Sequence, residues 1–276
     1  MEQLSLVIFS VCIQAAIGIM LFTGIGRLLN KDSIFKNATL TAAILGIIGM
    51  SASLLHLGRP LGALRALNQF GSSWLSKEIW FTATFVGLTV VTAIIILYKA
   101  ENKSAATGLT WLAAIVGIID VFAMSSIYST TSAPIWQGSS TLVEFYAATI
   151  SMGAVLFLLL SFKEALNMSK IVALAVTGIV VLQVALVVPS LIAAGSSSSA
   201  ALQQSLSILA DMGLASSIKW IGILAGTSMI LWLAKGEEAK TYSSLVTSGA
   251  LLLLLGQAVG RYLFYASVVI TGIGLN

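Results

Sequence analysis

The sequence contains one histidine, His56, and it falls in a stretch that gathers much of the chain's capacity to handle protons. Residues 53–79 read SLLHLGRPLGALRALNQFGSSWLSKEI, and they place His56, Arg59, Arg65, Lys77 and Glu78 between two long apolar runs. Neutral imidazole accepts a proton with an unperturbed pKa of about 6.5. A nearby carboxylate such as Glu78 can pass that proton onward. Further along, Asp120, Glu144, Lys219 and Arg261 also interrupt apolar sequence. An ionisable group inside a membrane span is costly and marks a functional candidate by default. Helical spacing groups these residues into faces. Gln257, Arg261 and Tyr265 form one stripe, Asp120, Met124 and Tyr128 a second, and Gly49, Ser53 and His56 a third.

Each group has a plainer reading beside the chemical one. His56 could bond a backbone carbonyl at a helix end. Asp120 and Arg261, with Tyr265 beside them, form either a proton path or a structural ion pair. Lys219 is expected to snorkel to the outer surface. Arg59, Arg65 and Lys77 suit interface anchors as well as ligand contacts. Gly256 and Gly260 make a GxxxG pair that lets another helix approach closely.

The elements that must position these groups are membrane helices. The chain is 58% hydrophobic and 9% charged, against about 25% charged in soluble domains, and its mean hydropathy is +1.02. Apolar runs long enough to span a bilayer recur along it. They lack the alternation of membrane barrel strands. The expected fold is all-α, a polytopic membrane bundle forming one domain over residues 1–276, with two four-helix halves as a possible division. Eight spans are expected at 4–26, 37–57, 79–98, 105–127, 142–162, 171–195, 213–234 and 242–268. Pro189 predicts a kink in the sixth. Leu61, Leu64 and Leu67 predict a short amphipathic interfacial helix between spans two and three, with Trp74 as its headgroup anchor. GSSSSAALQQS at 195–205 reads as a polar outer loop, and no internal sequence repeat stands out.

Nine basic residues, Arg27, Lys31, Lys36, Lys99, Lys103, Lys163, Lys170, Lys235 and Lys240, fall on one side of this layout. The positive-inside rule puts them in the cytoplasm, both termini outside, and every awkward polar group in the outer half of the membrane. The net charge of +4 is then a topology signal, and no nucleic-acid partner is implied. The acidic start, MEQLS, predicts a first span that is retained rather than cleaved. One histidine cannot supply a bis-histidine haem, and Cys12 alone cannot hold an iron–sulfur cluster. No metal site is expected. Any redox role must pass electrons between a diffusible molecule and a partner subunit.

The stretch SLLHLGRPLGALRALNQFGSSWLSKEI resembles the DmsC family, the membrane anchor subunits of dimethyl-sulfoxide-reductase-type molybdoenzymes. The resemblance rests on His56 in LHLG, Pro60, Leu67-Asn68 and Ser76-Lys77-Glu78-Ile79. It continues through IYSTTSAPIW at 127–136, ADMG at 210–213 and GQAVGRYLFY at 256–265. It implies a cell-membrane subunit of anaerobic respiration that carries no redox cofactor of its own. Such a subunit binds and oxidises menaquinol and passes electrons to a four-cluster iron–sulfur subunit, which serves a molybdopterin catalytic subunit. By position, His56 and Glu78 are tied to quinol binding. Arg59 and Trp74 complete the candidate site. Asp120 is outside the family pattern, and Lys219 stands where arginine is commoner. The alternatives are an anchor of the NrfD/PsrC type and a secondary transporter.

Overall fold

The computed structural model describes residues 2–56, 67–233 and 239–270, without the side chains of residues 2, 55, 56, 67, 233 and 239–243. Among the described residues the chain is all helical. The helices are α1 (Glu2–Leu29), α2 (Lys36–His56), α3 (Trp74–Tyr98), α4 (Lys103–Ser129), α5 (Ser139–Leu160), α6 (Ser169–Gly195), α7 (Ala200–Asp211), α8 (Gly213–Leu233) and α9 (Ala239–Ala266). All but α7 are long and apolar enough to cross a membrane, which gives the eight expected spans. α6 runs through Pro189. The expected interfacial helix after span two falls largely on residues 57–66, outside the described residues; the first element described beyond them is a single 3₁₀ turn, Leu67–Gln69.

One expected loop is shorter than its polar run: residues 196–199 are non-helical and residues 200–205 are helical. GSSSSAALQQS contains the start of α7, where the Ser199 hydroxyl accepts from Leu202 N–H at 3.4 Å. Gln203 then reaches back and donates its amide to the carbonyls of Ala194, Gly195 and Ser197. An uncapped helix end leaves its last carbonyls unsatisfied, so one glutamine closes α6 while α7 begins. The polar run therefore supplies a four-residue loop, 196–199, together with the caps on either side of it.

The helices pack as two groups of four with matching pairings. In the first, α1 meets α2 and α4, α2 meets α3, and α3 meets α4. In the second, α5 meets α6 and α9, α6 meets α8, and α8 meets α9. The groups join chiefly where α1 crosses α5. A Cβ on Gly18 would come 2.7 Å from Gly153 Cα, and one on Gly153 would come 2.2 Å from Gly18 Cα. Only bare backbone fits at that crossing.

The matching groups form a structural repeat with an offset of 137 residues. Asn30 and Asn167 exchange amide hydrogen bonds reciprocally at 3.0 and 2.7 Å, and they stand 137 apart. Tyr128 and Tyr265 share a hydrogen bond at 3.2 Å with the same separation. Residues on a two-fold axis touch their own counterparts, so these two contacts mark an approximate axis running the length of the bundle. The repeat is parallel, because α1 and α5 enter the bundle from the same end. The structure thus repeats where the sequence shows no convincing repeat. Tyr128 and Tyr265, or Ser53 and Ser190, are matched identities, but most paired positions share only apolar character.

Candidate functional site

A cavity of about 200 Å³ lies between α1, α2 and α3, near the end of the bundle where α1 begins. Its walls include Phe9, Met50, Leu54 and Ile79, with Ser53, Glu78 and Thr82 as the polar groups. Glu78 is 7% exposed. It projects from the first turns of α3, where the Ser73 hydroxyl caps the helix by accepting from Ser76 N–H. α2 ends at His56, three residues beyond Ser53. The His56 side chain and all of Arg59 lie outside the described residues.

Thr82 sits one helical turn after Glu78, and its hydroxyl donates to Asp120 Oδ2 at 2.8 Å. Asp120 is fully buried, and its Oδ1 has no hydrogen-bond partner among the described residues. The expected Asp120–Arg261 ion pair is not formed. Arg261 instead donates from Nη2 to Gln14 Oε1 at 2.9 Å and lays its guanidinium over the Phe145 ring at 3.8 Å. Both residues lie in the second half of their helices, α4 and α9, but they point to different neighbours. Depth along a helix does not determine direction around it. The Gln257–Arg261–Tyr265 stripe faces inward, with all three residues buried. Gln257 donates to Ser151 Oγ and Gln183 Oε1, both at 3.1 Å, and Tyr265 meets Tyr128.

Trp74 is not part of the cavity wall. Its ring meets Phe122 edge-on at 5.6 Å and carries Lys77 Nζ over its face at 3.9 Å. The aromatic groups near the axis are Tyr128, Trp136, Phe145, Phe264 and Tyr265. Trp136 stacks on Phe264 at 5.0 Å and donates its indole N–H to the Phe264 carbonyl at 2.8 Å. A second cavity of about 280 Å³, with Trp136 and Phe264 on its wall, lies between α5, α6, α7, α8 and α9.

Lys219 does not snorkel outward. It is 8% exposed and forms an ion pair with Glu144 on the wall of this second cavity. Gly260 leaves room for the lysine stem, since a Cβ there would lie 3.1 Å from Lys219 Cε. Sequence reasoning placed both charges near one depth but did not pair them, because they lie on different helices 75 residues apart. Thr82 and Gln14 were also missed. The only signal for Gln14 was an amide inside an apolar span.

Fold and site together define a polytopic membrane subunit that keeps acidic and aromatic groups inside its bundle near one membrane face. The chain belongs to the DMSO reductase anchor subunit (DmsC) family, whose model matches residues 1–267. It is similar to the anaerobic dimethyl sulfoxide reductase chain YnfH of Escherichia coli, at 27% identity over 98% of this chain and 96% of that one. It is also similar to the C subunit of anaerobic dimethyl sulfoxide reductase from Escherichia coli, at 30% identity over 79% of this chain and 76% of that one. The corresponding C subunit from Haemophilus influenzae is 34% identical over 56% of this chain and 57% of its own length.

Proposed function

We propose that this chain oxidises menaquinol at the Glu78 cavity while anchoring an iron–sulfur subunit and a molybdopterin catalytic subunit to the cell membrane. The observation that carries the reading is a buried carboxylate on the wall of an otherwise mostly apolar cavity, beside the helix that ends in the single histidine. Quinol oxidation releases two protons and two electrons. It needs an apolar slot for the ring, a hydrogen-bond partner at a ring oxygen and a carboxylate to take protons away. Phe9, Met50, Leu54 and Ile79 supply the slot, and Glu78 and Ser53 supply polar contacts. The cavity is smaller than the roughly 300 Å³ at which ordinary ligand pockets begin, so it suits a ring with its tail extending into lipid.

His56 is the first proton acceptor in this reading, and Glu78 the second. Thr82 and Asp120 continue the polar line inward from Glu78. The two electrons leave to the iron–sulfur subunit, because this chain has neither the four thiolates of a cluster nor paired haem ligands. In this reading both termini, the cavity and the docked partners lie on the outer face, which the positive-inside charge count supports.

The test uses the assembled complex from native membranes. His56→Ala and Glu78→Gln should each lower quinol-dependent reductase turnover at least tenfold. Turnover driven by a soluble artificial electron donor should stay at the wild-type level. Unchanged quinol-dependent turnover in both variants would sink the assignment.

A further inference from the structure

We propose that the second cavity, at the Glu144–Lys219 pair, binds a second quinone-type ring without oxidising it. The inference deepens the preceding reading and takes the ligand class from it.

The two cavities are counterparts in the repeat. Met50, Ser53 and Leu54 line the first, and Val187, Ser190 and Leu191, each 137 positions later, line the second. Ile79, Thr82 and Ala83 of the first become Ser216, Lys219 and Trp220 in the second. One pocket recurs on matching faces, α2 and α3 in the first half and α6 and α8 in the second.

The chemistry between them differs. The same offset carries His56 to Ala193 and Glu78 to Ala215, so neither proton acceptor is retained. A carboxylate enters instead from α5, as Glu144, and meets Lys219. This pair spends one of the three ammonium donors and one of the two carboxylate oxygens. Donors and an acceptor therefore remain on a wall whose net charge is zero.

That combination favours a neutral planar ligand. A quinone carbonyl can accept from the ammonium donors that Lys219 has left, while Glu144 balances the lysine's charge, and Trp136, Trp220 and Phe264 offer the ring flat walls. A phospholipid head group would bring full charges, and a neutral pair does not repay their desolvation. The space, about 280 Å³, exceeds that of the first cavity. Leu206 and Leu209 of α7 cover it on the side away from the axis.

The experiment is equilibrium dialysis of the detergent-purified complex with a radiolabelled short-chain naphthoquinone. Two molecules should bind per copy of this subunit. Leu209→Trp, which fills the second cavity, should leave one. Ser190→Leu should do the same from the opposite wall, which guards against a folding defect in the first variant. Glu78→Gln should weaken the remaining site alone. One bound molecule that persists in both filling variants overturns the second site. Loss of a co-purifying phospholipid in those variants, with naphthoquinone binding unaltered, overturns it in favour of lipid. One bound molecule that the filling variants remove, with Glu78→Gln inert, keeps the second site and rejects the first.

Discussion

Tyr128 and Tyr265 stand 137 residues apart and share one hydrogen bond, 3.2 Å long, on the approximate axis that relates the two halves of the bundle. Each is the other's structural counterpart. The contact joins α4 to α9, the last helix of each half, and it sits among Trp136, Phe145 and Phe264.

Removing either hydroxyl leaves the other without this partner. Tyr128→Phe and Tyr265→Phe should each cost about 0.5–1.5 kcal/mol of stability. The double variant should cost less than the two single losses added, because a pair with both polar atoms gone leaves nothing unsatisfied. Thermal unfolding in mild detergent measures the cycle. Strict additivity would show that the shared bond contributes no coupling.

The Gly18–Gly153 crossing tolerates no side chain. Gly153→Ala would set a Cβ 2.2 Å from the Gly18 backbone, so the helices must separate. Overpacking of this kind typically costs about 1–3 kcal/mol and sometimes more. Gly87→Ala, with nothing within 4 Å of its added Cβ, is the matched control and should be neutral or slightly stabilising. Size-exclusion profiles after mild heating should separate the two.

Glu144 and Lys219 are largely buried, with side chains 16% and 10% exposed. Truncating one to alanine strands the other. Such single losses cost about 3–5 kcal/mol, while replacing both partners is far milder. Glu144→Ala and Lys219→Ala should therefore each reduce the yield of folded chain sharply, and Glu144→Leu with Lys219→Met should restore much of it. Expression of fluorescently tagged variants, read in detergent, tests this.

Arg261 behaves differently, since its partner is neutral. Its Nε and Nη1 atoms are buried without hydrogen-bond partners among the described residues. Arg261→Met should leave the unfolding temperature unchanged or raise it, because a buried ion of this kind is replaceable by a well-packed apolar side chain. Gln14→Leu removes the acceptor of the Arg261 Nη2 hydrogen bond and should cost about 1–3 kcal/mol. Should the methionine variant stay stable while quinol-dependent turnover falls, the charge is retained for chemistry rather than folding.

Hydropathy made the spans legible. The fourth was expected at 105–127 and runs Lys103–Ser129; the fifth was expected at 142–162 and runs Ser139–Leu160. Capping chemistry was harder to see, as α7 shows, because serine and glutamine serve loops and helix ends alike. The site was legible as a set of residues at one depth. Its pairings were not, because a spacing of four places groups on one helix face but does not say which other helix that face meets. Asp120 therefore went to Thr82 and Arg261 to Gln14. The repeat escaped notice for a further reason. Once a position must be apolar, valine, leucine and isoleucine replace one another freely, and few marks of common ancestry survive.

The Gln14–Arg261 hydrogen bond spans 247 residues. At a synthesis rate of about 5–20 residues per second, the amide of the first helix enters the lipid roughly 12–50 seconds before its guanidinium partner is made. Throughout that interval α1 is a guest in the bilayer with an unsatisfied polar group on the face that α5 and α9 will later cover. Newly made protein is therefore most vulnerable to quality-control proteases between the emergence of its first and last spans. Slowing translation late in the message should deplete this subunit more than slowing it early.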